Sequence, residues 1–551
     1  MAKRLIITAI AILIIVIISL YLYAAPTKTE MVPMRDGVKL ATDVYLPAGD
    51  GPWPVIVMRS PYPRSMNEGL TRAGYAVVIQ STRGRYGSED ESGLVFFSDG
   101  WGKAQDGYDC IEWVGKQSWC NGKIGTFGGS ALGITQYRMA GANPPGLTCQ
   151  HVIMAPCSLY NQCMYQNGAL REEQIVKWLE ANNFGSDSMK LVKEHPSYDA
   201  MWEEIDLSTR FEQVNAPIMH IGGWYDTFQQ GNIDAFVGIQ SKGGPNAKGK
   251  QKLIIGPWGH GVLGNFTEAK YPNPMPPADV MGTAWSDYWL KGGSSVIDKL
   301  ANVTYYTMGA VGEARAPGNV WRASDVWPVP SSVTPFYLSN DKSLTTTKPA
   351  NKSGKMPYTF NPNDPVPTIG GNNLTIPSGP MDQRKVEGRA DVLIFTTEPL
   401  DKPLEVTGRI RAKLWASSTG KDTDFTAKLT DVYPDGRSML ICDGILRGRY
   451  HKSLAKPEFL TTGKTYEFDI DMWSTSIIIN KGHRIRLAVS SSNSPRFDVN
   501  TNTGDPATKQ TVTNTIYMDK SHPSALLLPI VGAEKIEKAP PGGSSRDEDG
   551  Y

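Results

Sequence analysis

Lys123-Ile124-Gly125-Thr126-Phe127-Gly128-Gly129-Ser130-Ala131-Leu132-Gly133 is the stretch on which the fold turns. It starts as an apolar strand, passes through two glycines to a serine, and continues into Ala131–Ala142, which has helical character. A strand that turns sharply into a helix with serine at the corner pushes that hydroxyl outward, and small neighbours let helix and strand approach each other. The strict G-x-S-x-G pattern is not met, because position +2 is Leu132 and the glycine falls at +3, Gly133. Taken alone, Gly128-x-Ser130 also reads as an ordinary turn. A phosphate loop fits poorly, since no Lys-Ser/Thr pair follows the glycines.

Outward from this turn, short apolar runs recur: Val55–Met58, Tyr75–Ile79, His151–Met154, Ile218–Ile221 and Lys252–Ile255. Helical segments such as Asp106–Lys116 lie between several of them. Buried strands alternating with helices predict an open parallel α/β sheet over 28–157 and 214–330, whose ligands sit at the carboxyl ends of the strands. Asp36–Leu40 and Thr42–Leu46 read as a first hairpin. Residues 158–213 break the rhythm with helical spacing and read as a cap inserted over the sheet. From about Ser331 the pattern changes to period two, as in Glu405–Leu414, Thr465–Ile470 and Arg484–Val489. This predicts an all-β jelly roll over 331–533. The Pro/Gly/Ser-rich and charged end, 534–551, reads as a disordered tail.

A nucleophilic serine needs a base, and the base an orienting acid. Of the seven histidines, His260 stands best, in a tight loop after the strand Leu253-Ile254-Ile255. His220 falls inside a strand and reads as core; His151 opens another strand and His195 lies in a loop. Asp226 follows the strand Met219-His220-Ile221 in the same manner. Individually, Asp226 reads equally as a turn residue and His260 as a loop histidine. Together, the chain order Ser130, Asp226, His260, each past a strand end, is that of an α/β-hydrolase. An oxyanion hole is then needed. The backbone N–H of Ala131 would be one donor and the hydroxyl of Tyr62, just past an early strand, the second; Tyr62 reads equally as packing on the sheet rim.

The 551 residues carry 56 Lys+Arg against 55 Asp+Glu, a net charge of +1, which leaves no electrostatic footprint for nucleic acid. No spacing of Cys and His resembles a metal site, and no cofactor is implied. Lys3 and Arg4 precede an uncharged apolar run from Leu5 to Ala25. About 21 residues make roughly 31 Å of helix, enough to cross a bilayer core. Residues 1–27 are therefore expected to be an uncleaved signal anchor or a cleaved signal peptide, with a buried N-terminal helix as the plain alternative. Lys3 and Arg4 would stay cytoplasmic, so the catalytic part would lie outside, membrane-anchored or secreted. Such a location permits disulfides; six cysteines leave every pairing open.

Several motifs resemble the family of cocaine esterase, glutaryl acylases and X-Pro dipeptidyl-peptidases. They are Met34–Tyr45, Arg59-Ser60-Pro61-Tyr62, Thr82–Ser88, Asp106–Trp113, the serine turn, Gly223-Trp224-Tyr225-Asp226 and Gly256-Pro257-Trp258-Gly259-His260. Later come Trp327–Pro330, Thr334–Leu338 and Asp364–Gly371. The resemblance implies an α/β-hydrolase core with a helical cap and a C-terminal galactose-binding-like jelly roll. It implies a triad of Ser130, Asp226 and His260, an oxyanion hole of Tyr62 and Ala131, and Phe228 lining the acyl or leaving-group pocket. Two departures stand out. The residue after the nucleophile, commonly Tyr in the family, is Ala131, which keeps the oxyanion N–H and widens the pocket. The acidic residues that follow the triad acid in α-amino-acid ester hydrolases are replaced by Thr227-Phe228-Gln229-Gln230.

The expected activity is hydrolysis of small carboxylic esters or amides through an acyl-enzyme, without metal or cofactor. One alternative is an X-Pro dipeptidyl-peptidase, which needs an anchor for a peptide ammonium; Glu172 and Glu173 of the cap could serve, though they read first as a solvated helix face. Another is a surface glycan-binding protein with an inactive hydrolase fold. The oligomeric state is not readable from the sequence.

Overall fold

The computed structural model describes residues 24–532 apart from 67, 91–95, 185, 279, 294 and 314–315. Nearly all of the apolar run Leu5–Ala25, and the tail from 534, lie outside the described residues. Among the described residues no helix is long and apolar enough to cross a membrane.

The first part of the chain forms a ten-stranded sheet from β1 (Lys28–Pro33), β2 (Lys39–Tyr45), β3 (Trp53–Ser60), β4 (Ala76–Ser81), β5 (Cys120–Gly129), β6 (Leu147–Ile153), β7 (Ile218–Tyr225), β8 (Lys252–Gly259), β9 (Val303–Thr307) and β10 (Val320–Ser324). The spatial order is β1-β2-β4-β3-β5-β6-β7-β8-β9-β10. Every pairing from β4 to β9 is parallel, and antiparallel strands close both edges. Parallel strands covered on both faces read as unbroken apolar runs. Accordingly, all of Ala76–Ser81 and Ile218–Tyr225 are buried.

The first hairpin is placed differently from the sequence expectation. Lys39–Tyr45 is one continuous strand paired with Lys28–Pro33, and Asp36-Gly37 forms the turn. Gly37 takes φ +89° there, a conformation that an Asp-Gly turn supplies cheaply. Apolar alternation on both sides of the turn hid which arm came first.

Between β6 and β7 lie a hairpin of Tyr165–Gln166 with Ala169–Leu170 and the helices α1 (Glu172–Ala181), α2 (Ser186–Glu194) and α3 (Ala200–Glu204). Helix α1 buries Ile175 and Leu179, four residues apart on one face, against the sheet's helical layer.

Beyond residue 330 the strands pair antiparallel in two sheets of seven and four strands. Leu414, Phe468 and Ile470 from one sheet and Phe425, Leu429 and Leu487 from the other share one buried cluster. That cluster runs on into the hydrolase core through Trp224, Tyr225 and Tyr305, with the Trp327 ring tilted against Trp224 at 5.8 Å and edge-on to Tyr305 at 5.7 Å. The β-domain therefore docks on the part of the sheet that carries the acid-bearing strand. Tyr225 Oη donates to Leu440 O at 3.0 Å, and Gln229 Nε2 to Ser474 O at 2.6 Å. All six cysteines, which lie among the described residues, are free, and five are buried.

Candidate active site

Ser130 stands at the junction of β5 and the helix Ala131–Ala142 with φ +56° and ψ −123°. A non-glycine residue persists in such backbone only where its surroundings over-determine it. Here Ser130 N donates to Ile153 O at 2.9 Å, and Ser130 O accepts from Gly133 N and Ile134 N. A serine at a helix start ordinarily caps the helix with its own oxygen. Ser130 makes no such cap bond, and its Oγ lies 3.0 Å from His260 Nε2 instead. The glycine at +3 has a direct cause: a Cβ on Gly133 would come within 2.7 Å of Ala155 Cβ on the neighbouring chain segment. Leu132 at +2 lies beside Gly128, so the close helix–strand contact has moved one residue along.

His260 Nδ1 is 2.6 Å from Asp226 Oδ2, so a proton on Nδ1 is shared with the carboxylate and Nε2 is left to accept from Ser130. Asp226 is fully buried, and its other oxygen accepts from Phe228 N at 2.7 Å. Its loop is held from the β-domain, where Asn372 Nδ2 donates to Asp226 O at 2.8 Å and to Trp224 O at 3.0 Å. The ring of Phe228 stands edge-on to His260 at 5.5 Å and 90°.

The remaining histidines do other work. His220 is buried between Tyr137 and Gln251, and burial lowers it to about 3. His151 is buried and pushed down to about 4 for the same reason. His195 pairs with Asp199 on the cap.

A narrow cleft opens beside Ser130. Its walls include Phe96, Ile134, Met164, Trp178, Phe228 and Leu374, with Gln174 as the polar side chain besides Ser130; no carboxylate lines it among the described residues. The Cys163 thiol in this wall is raised to about 12 by burial, which keeps it protonated and removes it as a rival nucleophile. Ala131 opens the helix, where its N–H has no acceptor within the helix. Tyr62 packs against the buried cluster that holds Phe96, Ala131 and Ile134, and its hydroxyl accepts from Trp178 Nε1 at 3.0 Å. Burial raises the Tyr62 phenol, so it stays protonated and able to donate. Glu172 does not reach this cleft; it lines a separate cavity with Lys193, Arg447 and Asp498. Glu173 pairs with Lys177 at 3.4 Å. No His/Cys/Asp/Glu cluster among the described residues is arranged to hold a metal ion.

Sequence reasoning missed the contributions of the cap and β-domain: Gln174, Trp178 and Leu374 in the cleft wall, and Asn372 holding the Asp226 loop. The available signal for the last two was Gly370-Gly371, whose φ values of +66° and +91° turn the loop onto the acid.

A mostly parallel sheet with Ser130, Asp226 and His260 just past the ends of β5, β7 and β8, hydrogen-bonded in line, defines a serine hydrolase of the α/β-hydrolase class. Residues 36–190 and 183–262 match the X-Pro dipeptidyl-peptidase (S15 family), and residues 295–527 match the X-Pro dipeptidyl-peptidase C-terminal non-catalytic domain. The chain is 35% identical to the cocaine esterase of Rhodococcus sp. (strain MB1 Bresler), over 91% of this chain and 98% of that one. It belongs to the family of serine hydrolases that holds cocaine esterase and the X-Pro dipeptidyl-peptidases. Among solved structures it is similar to an aminopeptidase from a marine sediment Thaumarchaeota archaeon (26% identity, 93% and 96% of the two chains, TM-score 0.78). It is also similar to an α-amino acid ester hydrolase (25% identity, 92% and 98%, TM-score 0.76). The chain is thus an enzyme, a serine ester hydrolase by family, and the reading as an inactive glycan-binding protein is set aside.

Proposed function

We propose that this enzyme hydrolyses esters of small, uncharged acyl groups, with Ser130 as nucleophile. The observation that carries the reading is the hydrogen-bonded line Ser130–His260–Asp226 opening into a cleft without a carboxylate. Ser130 Oγ attacks the ester carbonyl while His260 Nε2 takes its proton. Asp226 holds the imidazole in its tautomer and stabilises the imidazolium. The oxyanion is received by the Ala131 N–H and the Tyr62 O–H. His260 then protonates the departing alcohol, and water, deprotonated by His260, releases the acid. Phe228, with Met164 and Trp178, shapes the acyl pocket.

A dipeptidyl-peptidase must fix a free ammonium close to the scissile bond, and the separation of Glu172 and Glu173 from the cleft weighs against that. The test is a panel of p-nitrophenyl esters against X-Pro and aminoacyl anilides. Turnover of acetyl to butyryl esters with anilides at background is the expected result; anilides turned over in preference would overturn the substrate class.

We also propose that residues 1–27 anchor the chain in a membrane or direct its export, with the hydrolase outside. The support is the charge-free run behind Lys3 and Arg4. Protease added to intact cells should then degrade an anchored enzyme; protection until lysis would contradict it.

A further inference from the structure

We infer that Trp178 of the cap is a positioning residue for the oxyanion hole, orienting the Tyr62 hydroxyl, and that Arg85 fastens the cap helix to the segment bearing Tyr62. This rests on the reading of Tyr62 as the second oxyanion donor.

An indole N–H can only donate, whereas a phenol hydroxyl donates once and accepts through two lone pairs. The 3.0 Å contact between Trp178 Nε1 and Tyr62 Oη therefore has one polarity: tryptophan donates and tyrosine accepts. With a lone pair so engaged, the phenolic proton must leave in another direction. No acceptor takes it among the described residues, and the nascent oxyanion on Ser130's substrate is the partner the proposed chemistry supplies. Accepting one hydrogen bond also polarises a hydroxyl, making it a stronger donor in the next.

Trp178 is fixed from several sides. Its ring stacks on Phe184 at 4.8 Å and on Phe96 at 5.9 Å, with interplanar angles of 28° and 20°. Phe96 has φ +72°, and its carbonyl accepts from the buried Arg138 Nε. Arg85 then ties the two sides together. Its Nε donates to Pro61 O at 3.2 Å, the residue before Tyr62. Its Nη1 and Nη2 donate to Asn183 O and Asn182 O, just past the C-terminus of α1, where a cation also suits the helix dipole. The same guanidinium lies 4.2 Å from the centroid of Phe184. One arginine thus touches the backbone beside the oxyanion donor, the end of the cap helix, and the ring on which Trp178 rests. In this arrangement the cap is part of the oxyanion hole, and seating the cap aims the donor.

The experiment compares wild type, Tyr62→Phe, Trp178→Phe and the double variant on p-nitrophenyl butyrate. It adds inhibition by a trifluoromethyl ketone, which forms an oxyanion, and by its unreactive methyl ketone analogue. Tyr62→Phe is expected to lose about 10²–10³ in kcat. Trp178→Phe, which keeps a ring in the stack, should lose about tenfold in kcat, the worth of one net hydrogen bond, with KM within about twofold. The trifluoromethyl ketone should weaken by the same factor and the methyl ketone should not. The double variant should be no worse than Tyr62→Phe alone. Wild-type kcat in Trp178→Phe, losses that multiply in the double variant, or equal weakening of both ketones would overturn the inference while leaving Tyr62 in place. Wild-type kcat in Tyr62→Phe would remove Tyr62 from the oxyanion hole, a different failure. Should Trp178→Phe not fold, Arg85 carries the test. Arg85→Ala should lower kcat at unchanged KM, with part of the loss recovered in Arg85→Lys. Wild-type kcat in Arg85→Ala overturns the proposal.

Discussion

Ser130, Asp226 and His260 each stand one residue past the end of a parallel strand, whereas Gln174, Trp178 and Leu374, which wall the same cleft, come from the cap and a β-domain loop. The first group is held by the sheet: strand register fixes where each side chain emerges, and a few hydrogen bonds finish the alignment. The second group is held by contacts distant in sequence, such as Trp178 on Tyr62 across 116 residues and Asn372 on Asp226 across 146. Reacting atoms on the rigid element and part of the wall on the attached ones allow substrate preference to change without disturbing the chemistry.

This division is broken most severely by changes at the strand ends. Ser130→Ala should lower kcat on p-nitrophenyl butyrate by about 10⁵–10⁶-fold with the fold intact, since removing a triad nucleophile leaves only binding and oxyanion stabilisation. Asp226→Asn should cost about 10⁴-fold near pH 7, because the amide favours the wrong imidazole tautomer; steady-state kinetics at that pH would show it. A loss under tenfold would place the orienting acid elsewhere.

Changes in the attached parts should be smaller and of another kind. Asn372→Ala removes the side-chain donor to the carbonyls of Trp224 and Asp226, the latter keeping its bond from Gln229 N. Each lost hydrogen bond costs about 0.5–1.5 kcal/mol, so a lower denaturation midpoint together with an approximately tenfold drop in kcat is expected. Unchanged kcat with lowered stability would show that the β-domain supports the fold but not the acid. Leu374→Ala should act on selectivity alone. It should shift preference toward longer acyl chains by about 10–200-fold in the ratio of kcat/KM values, the range for a methylene-sized change in an apolar pocket. Parallel loss on all chain lengths would mean that Leu374 is not a pocket wall.

The weakest expected effect lies farthest from the cleft. His483 is buried between Asp431 (2.8 Å) and Glu313 (3.0 Å), which joins the end of the hydrolase core to the β-domain. Burial opposes its charge, but the two carboxylates prevail and raise it above the ordinary histidine value. Its stabilising contribution is therefore complete below the unfolded-state value of about 6.5 and is lost as pH rises through the higher folded-state value. Thermal unfolding from pH 6 to 9 should show the wild-type Tm declining more steeply than that of His483→Gln. Parallel curves would remove the histidine from this linkage.

The same division explains what the sequence could show. Strand ends are legible because burial on both faces produces continuous apolar runs, and a polar residue after each run stands out. The serine turn was legible despite lacking a glycine at +2, since Gly133 performs the close contact with Ala155 one residue later. The first hairpin was misplaced because its arms have similar alternation, and only Gly37's backbone marks the turn. The cap's helical character could be read from Trp178, Leu179 and Met189–Val192, but not the direction its indole takes. That depends on where a helix lands on a loop more than a hundred residues earlier. Glu172 and Glu173 illustrate the converse: their charge made them candidates, and the landing of the helix carries them away from the cleft.

The most direct measurement is mass spectrometry of the enzyme after reaction with a fluorophosphonate, followed by mapping of the modified peptide. One phosphonyl group on Ser130 in the wild type, absent in Ser130→Ala and strongly slowed in Asp226→Asn, is the expected result. An adduct on another residue, or equal labelling of wild type and Ser130→Ala, would contradict the assignment of the nucleophile and with it the account of the site.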